Sequence, residues 1–265
     1  MTQKRSLFIV SVIMLAVSLR AGPACSEVPG AHNVGRLVDD VGRYALAPLH
    51  WNGRQWLYLG GTVLSIAAAR QADDQVRKHF TADSPAALSR GSTSDLQDAL
   101  PGAALLAGTW LYRTLRHDQV QGDAVWSMAE AGVLSLGAST LFKYAAGRQR
   151  PNATVDSSSW RNGGDSFPSG HVSVAFAIGA AYAESGDDDA RWARRLVGYG
   201  IAAATGYQRL KHNAHWLSDT VAGAALGIAT AQFVLHRDAA SHPAAAIMVV
   251  PLEHGLMLTY HASIP

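Results

Sequence analysis

The sequence has a single cysteine, Cys25, in 265 residues. An internal disulfide and any zinc site built on several thiolates are thereby excluded. Excess charge is also scarce: 22 Lys and Arg against 20 Asp and Glu leave a formal net charge of +2. A nucleic-acid partner would need a concentrated basic face, so that class drops out. Charge-free runs of full bilayer length are missing from the region after residue 26 that carries the motifs. Thr220–His236, with 17 residues, stays below the roughly 20 that a spanning helix needs. What is present is apolar material, 48% of the residues, which suffices for a packed core and excludes disorder as a description of the whole chain.

The N-terminus has the layout of a secretory signal peptide. Lys4 and Arg5 precede the apolar run Leu7–Leu19, and Ala21, Gly22, Ala24 and Ser26 follow. Ala24 and Ser26 suit a cut before Glu27, which would remove residues 1–26 and Cys25 with them. The same cut removes Lys4, Arg5 and Arg20 and no acid, so the balance becomes 19 − 20 = −1. Acylation of Cys25 is the rival reading, and Gly22 stands where a lipoprotein signal expects a leucine-like residue.

No repeat, low-complexity tract or long linker divides the remainder, so one domain is expected after the leader. Residues 27–54 form an N-terminal region in which Val34, Leu37, Val38, Val41, Tyr44 and Ala45 recur at helical spacing and make one apolar face. Six further segments read as helices: 55–70, 99–116, 123–147, 170–185, 190–207 and 216–236. They are filled with Ala, Leu and Gly rather than the β-branched residues of strands, so an all-α bundle of about six core helices over 55–236 is expected. In the tail, 237–265, the stretches Ala246–Val250 and Leu256–Tyr260 can pair as a small hairpin.

Three segments carry chemistry. In Lys143–Pro151 the cations Lys143 and Arg150 are seven residues apart, two helical turns, and Pro151 loosens the helix near Arg148 so that both can turn toward one anion. In Asp165–His171, Ser169 is placed to cap a new helix, and Gly170 lets backbone N–H groups approach an anion. His171 stands beside that cradle. In Gln208–Asp219, His215 and Asp219 are four apart, so on one helical face the carboxylate can fix the imidazole tautomer, while Arg209 offers a guanidinium fork to phosphate oxygens. No third or fourth ligand has metal-site spacing. The stretch Asn152–Phe167, with Trp160, Arg161, Gly163 and Gly164, reads either as a mobile lid or as a surface loop.

Together these parts suit phosphoryl transfer through a phosphohistidine: cations hold charge, one histidine attacks and another protonates the leaving group. The chain here resembles the phosphatidic acid phosphatase type 2 and vanadium haloperoxidase superfamily. Its pattern is Lys, six residues, Arg-Pro; then Pro-Ser-Gly-His; then Ser-Arg, five residues, His, three residues, Asp. The sequence supplies Lys143 with Arg150-Pro151, Pro168-Ser169-Gly170-His171, and Arg209 with His215 and Asp219. Gln208 replaces the serine often found before the arginine.

By position, the resemblance implies His215 as nucleophile, Asp219 as its orienting partner and His171 as general acid. Lys143, Arg150, Ser169, Gly170 and Arg209 would bind phosphate. It implies a phosphate monoester or pyrophosphate substrate, no metal or other cofactor, and inhibition by vanadate. The expected substrate is a lipid phosphate met at the periplasmic side of a membrane. The alternatives are a soluble periplasmic acid phosphatase of broad specificity and, against the short chain, a vanadate-dependent haloperoxidase. Trp56, Trp110, Trp126, Trp192 and Trp216 near the ends of apolar segments fit an aromatic belt.

Overall fold

A computed structural model describes residues 34–82, 93–116, 119–185, 190–240, 245–252 and 255–262. The leader, Cys25 and the proposed cut before Glu27 lie outside the described residues. The chain is all-α through the region that carries the motifs. Helix α1 (Val34–Leu46) leads through a short 3-10 turn, Ala47–His50, into α2 (Gly53–Gln71). Asn52 caps α2 reciprocally, its side chain accepting from Gln55 N at 3.1 Å while the Gln55 side chain accepts from Asn52 N at 2.8 Å.

A helix absent from the sequence reading follows at once, α3 (Asp73–Thr81). It is nine residues long and polar, so no apolar stripe announces it; acids in its first turn and Lys78 and His79 in its last still suit the helix dipole. Helix α4 (Thr93–Arg116) begins earlier than the expected 99 and carries Pro101 inside it. Then come α5 (Gln119–Ala146), α6 (Gly170–Glu184), α7 (Arg191–Lys211) and α8 (Leu217–Ala240). The tail forms an antiparallel pair, β1 (Ala245–Leu252) and β2 (Gly255–Ala262), with Ala245 opposite Ala262 and Leu252 opposite Gly255.

Helix α6 is the axis of the bundle, packed against α4, α5, α7 and α8. Small residues on α6 and on α8 let these helices come close to their neighbours. A Cβ on Gly179 would lie 2.4 Å from the Gly198 carbonyl oxygen, and one on Gly227 would lie 2.3 Å from that of Ser173. The Ala and Gly content that suggested helices therefore also sets the distance between them. Met128, Ala131 and Leu134 of α5, Ala177 and Ile178 of α6, and Val234 of α8 form the core. Helix α1 lies on α8, where Tyr44 Oη and Thr230 Oγ1 are 2.7 Å apart and the Tyr44 and Phe233 rings meet edge to face.

The outward faces of α2, α4 and α7 are apolar. Leu57, Tyr58, Leu64, Leu115, Trp192 and Leu196 are each well exposed. Two helical stretches, Ala124–Ala146 and Leu217–His236, are long and apolar enough to cross a membrane by length and composition, and 39% and 50% of their respective windows are buried inside the bundle. Trp56, Trp110 and Trp192 stay exposed as a belt requires. Trp216 does not: it is buried, and its Nε1–H donates to Gln149 O at 2.9 Å.

Candidate active site

The three chemical segments meet at one end of the bundle. Helix α5 stops at Ala146 because Gly147 takes φ 54° and returns its N–H to Lys143 O at 2.9 Å, a left-handed helix end that glycine favours. Lys143 thus sits in the last helical turn and Arg150 in the loop beyond, so the two do not share a helix face. The loosening expected near Arg148 is a full stop.

The loop after Pro151 folds back over this stop. Ser159 O accepts from Gln149 N at 3.0 Å, Ala146 O from Arg161 N at 3.0 Å, and Gly147 O from Asn162 N and Gly164 N at 2.9 and 3.0 Å. Gly164 has no room for a side chain, since a Cβ there would lie 2.1 Å from Arg148 O. Trp160 covers the Arg148 guanidinium at 4.6 Å and meets Phe167 edge to face. Gly164 serves close backbone packing, Gly163 takes φ 67°, and these backbone bonds hold the loop against the end of α5.

Ser169 occupies the N-cap position of α6, yet its hydroxyl makes no capping bond; it is fully buried without a hydrogen-bond partner among the described residues. The capping expectation fails at the side chain, while the Ser169 N–H donates to Asp219 O at 3.0 Å and ties this helix start to α8. Gly170 rests against Lys143, whose Cε would lie 3.5 Å from an added Cβ. His215 precedes α8 by two residues and Asp219 lies in that helix's first turn, so the pair straddles a helix start instead of lining one face. His215 Nδ1 is 3.6 Å from Asp219 Oδ2, both side chains being buried. That separation is too long for a hydrogen bond, and His215 Nδ1 has no hydrogen-bond partner among the described residues. Asp219 Oδ2 accepts from Ser166 Oγ at 2.5 Å and Trp216 N at 3.0 Å, while Oδ1 accepts from Arg148 Nη1 at 2.5 Å.

Charge converges on His215. Its pKa is held well below the ordinary histidine value, first by burial and then by Arg150, Arg209, Lys143 and His171. Lys143 is itself lowered to about 8, by burial and by Arg150, against the opposite pull of Asp165 and Asp219. Burial raises Asp219, opposed by Arg148, Ser166 and the Trp216 N–H. Lys143, Arg150, Ser169, Gly170, His171, Arg209, His215 and Asp219 therefore share one neighbourhood, although they come from three separate stretches of chain.

Residues 124–242 match the family model described as PAP2 superfamily. The stretch that holds the three motifs is similar to the PAP2 superfamily. Over 106 residues, 40% of the chain, it is 34% identical to a lipid A 1-phosphatase of Porphyromonas gingivalis. The match spans 21% of that relative's length. The crystal structure of a transmembrane PAP2 type phosphatidylglycerolphosphate phosphatase from Bacillus subtilis aligns with 89% of this chain and 98% of its own, at 16% identity and a TM-score of 0.36.

Sequence reasoning passed over the support beneath the candidate site. Arg148, fully buried, pairs with Asp73 Oδ2 at 2.7 Å and with Asp219, donates to Ser218 Oγ at 2.8 Å, and lies between the Trp160 and Trp216 rings. Asp73 also accepts from Ser218 N at 2.8 Å and Ser218 Oγ at 2.7 Å. Arg209 donates to Asp98 Oδ2 at 2.7 Å, and His212 Nδ1 lies 3.2 Å from the same oxygen. Asp73 and Arg148 are 75 positions apart, Asp98 and Arg209 111. No spacing rule links residues so distant, and only Arg148, inside a basic run, carried any signal.

Proposed function

We infer that this domain hydrolyses a terminal phosphate from a lipid through a covalent phosphohistidine. The observation that carries the reading is the convergence of Lys143, Arg150, His171 and Arg209 on a buried, neutral His215. A neutral imidazole keeps a lone pair for attack, and burial among fixed cations favours the charge that develops on phosphorus.

In the first step His215 Nε2 bonds to phosphorus as the ester P–O bond breaks, and His171 gives its proton to the leaving alkoxide. In the second, His171 takes a proton from water, the water oxygen bonds to phosphorus, and the P–N bond breaks to release phosphate. Asp219 sits on the Nδ1 side and steadies the imidazole as it gains charge. Lys143, Arg150, Arg209, the Ser169 hydroxyl and the Gly170 amide hold the phosphate oxygens.

The lipid class is supported by the exposed apolar faces of α2, α4 and α7, which would suit a membrane-associated protein and are costly for one that meets only water. The relative's name, a lipid A 1-phosphatase, agrees with that class. The purified chain, assayed in detergent with a lipid phosphate and with a soluble phosphomonoester, should prefer the lipid, keep its activity in EDTA and lose it to orthovanadate. Equal turnover of the soluble ester by protein that washes off membranes in carbonate would favour a soluble acid phosphatase instead.

A further inference from the structure

Two guanidiniums whose charge acts on His215, those of Arg150 and Arg209, are both engaged by carboxylates, in different ways. Arg209 meets Asp98 in a pair with almost no exposure, 0% and 2% for the two side chains, so that pair is fixed scaffolding. Arg150 meets Asp165 in a two-point fork, Nε to Oδ1 at 2.8 Å and Nη2 to Oδ2 at 3.1 Å, with the side chains 23% and 35% exposed. A carboxylate in this fork occupies the guanidinium edge that a phosphate would use for two parallel hydrogen bonds. A pair this exposed is held weakly and can exchange. Lys143 touches the same residue through a different atom, Nζ donating to the Asp165 carbonyl at 2.5 Å, so the position of the backbone does not depend on the acid.

Resting on the phosphatase reading above, we propose that Asp165 is an affinity-setting residue for phosphate, an internal carboxylate that competes with the substrate and product anion for the Arg150 fork. When phosphate enters, Asp165 yields the fork or stays near it as a like charge; in both cases binding is weaker than the cations alone would make it. Product phosphate is then released instead of being trapped among Lys143, Arg150 and Arg209. The competing possibility is that Asp165 holds Arg150 in place for phosphate, and the two differ in sign. Loss of the acid tightens phosphate binding if it competes and weakens it if it positions.

The test is titration of inorganic phosphate into the purified full chain in detergent, by calorimetry at pH 7, with thermal melts to verify folding. Asp165→Asn keeps the size and the backbone carbonyl but removes the charge; it should bind phosphate about tenfold more tightly than wild type, the scale of one screened charge at contact distance. Asp165→Glu restores the charge and should return affinity to within about twofold of wild type. A folded Asp165→Asn protein that binds phosphate equally or more weakly overturns the proposal; if it does not fold, Asp165→Ser is judged by the same criterion. A wild type that binds no phosphate and hydrolyses no phosphomonoester overturns the phosphatase reading and this inference together. A wild type that binds phosphate, with neutral variants that bind it no better, overturns this inference alone.

Discussion

The site end of the bundle and its outer flanks solve opposite problems. At the site end, Arg148, Asp73, Arg209 and Asp219 are charged and have almost no solvent, so every charge must meet a partner inside the protein. On the flanks, Leu57, Leu64, Leu115 and Leu196 are apolar and open, with the solvent side of the helices left uncovered. Single changes at the site end should therefore cost turnover or, at its buried ion pairs, stability, while the flanks should be nearly indifferent to them, in folding if not in location.

The sharpest test of this contrast is His215→Ala. Removing the proposed nucleophile should cut turnover on the order of 10⁴-fold or more while leaving the thermal melt close to wild type, as steady-state assay and melting would register. A mutant retaining most of its activity would sink the mechanism. Next in size is Arg148→Ala, which strands Asp73 and Asp219 as buried carboxylates and should cost about 3–5 kcal/mol in chemical denaturation. Arg148→Met combined with Asp73→Asn should recover part of that loss, since the double change leaves fewer uncompensated charges; if the double variant is worse than the single one, the network is not what holds this end together.

A smaller effect concerns pH. The depressed pKa of His215 means that its neutral, nucleophilic form persists below the ordinary histidine value of about 6.5, and that kcat/KM falls only as pH drops through the lower folded value. A profile of kcat/KM in the free enzyme whose acid limb lies at or above 6.5 would contradict the burial of His215 among cations. The smallest expected effect is on the flanks: Leu57→Gln or Leu64→Gln should change stability in detergent by no more than about 0.5 kcal/mol, yet reduce retention on membranes in a carbonate wash. A large loss of stability would mean that these residues belong to a core.

Much of this molecule could be read along the chain. The long helices announced themselves because apolar residues recur at helical spacing and because Ala, Leu and Gly fill them, and the α1 face containing Val41, Tyr44 and Ala45 was visible in the same way. The site residues were legible because each motif is short: Lys143 to Arg150, Pro168 to His171 and Arg209 to Asp219 each lie within a dozen positions. Less legible was α3, which has no apolar stripe. The capping expected of Ser169 was misjudged, and lid and surface loop could not be told apart around Trp160, because both depend on where neighbouring backbone groups donate and accept.

Sequence alone determined the parts: which residues can carry charge, attack phosphorus or give a proton, and which segments can be helices. Tertiary structure decided the environment that makes those parts reactive. It placed Asp73 beneath Arg148, Asp98 beside Arg209 and Asp165 in the fork of Arg150, contacts between positions 15 to 111 apart. The reason is physical: a side chain's identity is local, whereas its desolvation and the charges around it are set by whatever the folded chain brings within a few ångströms.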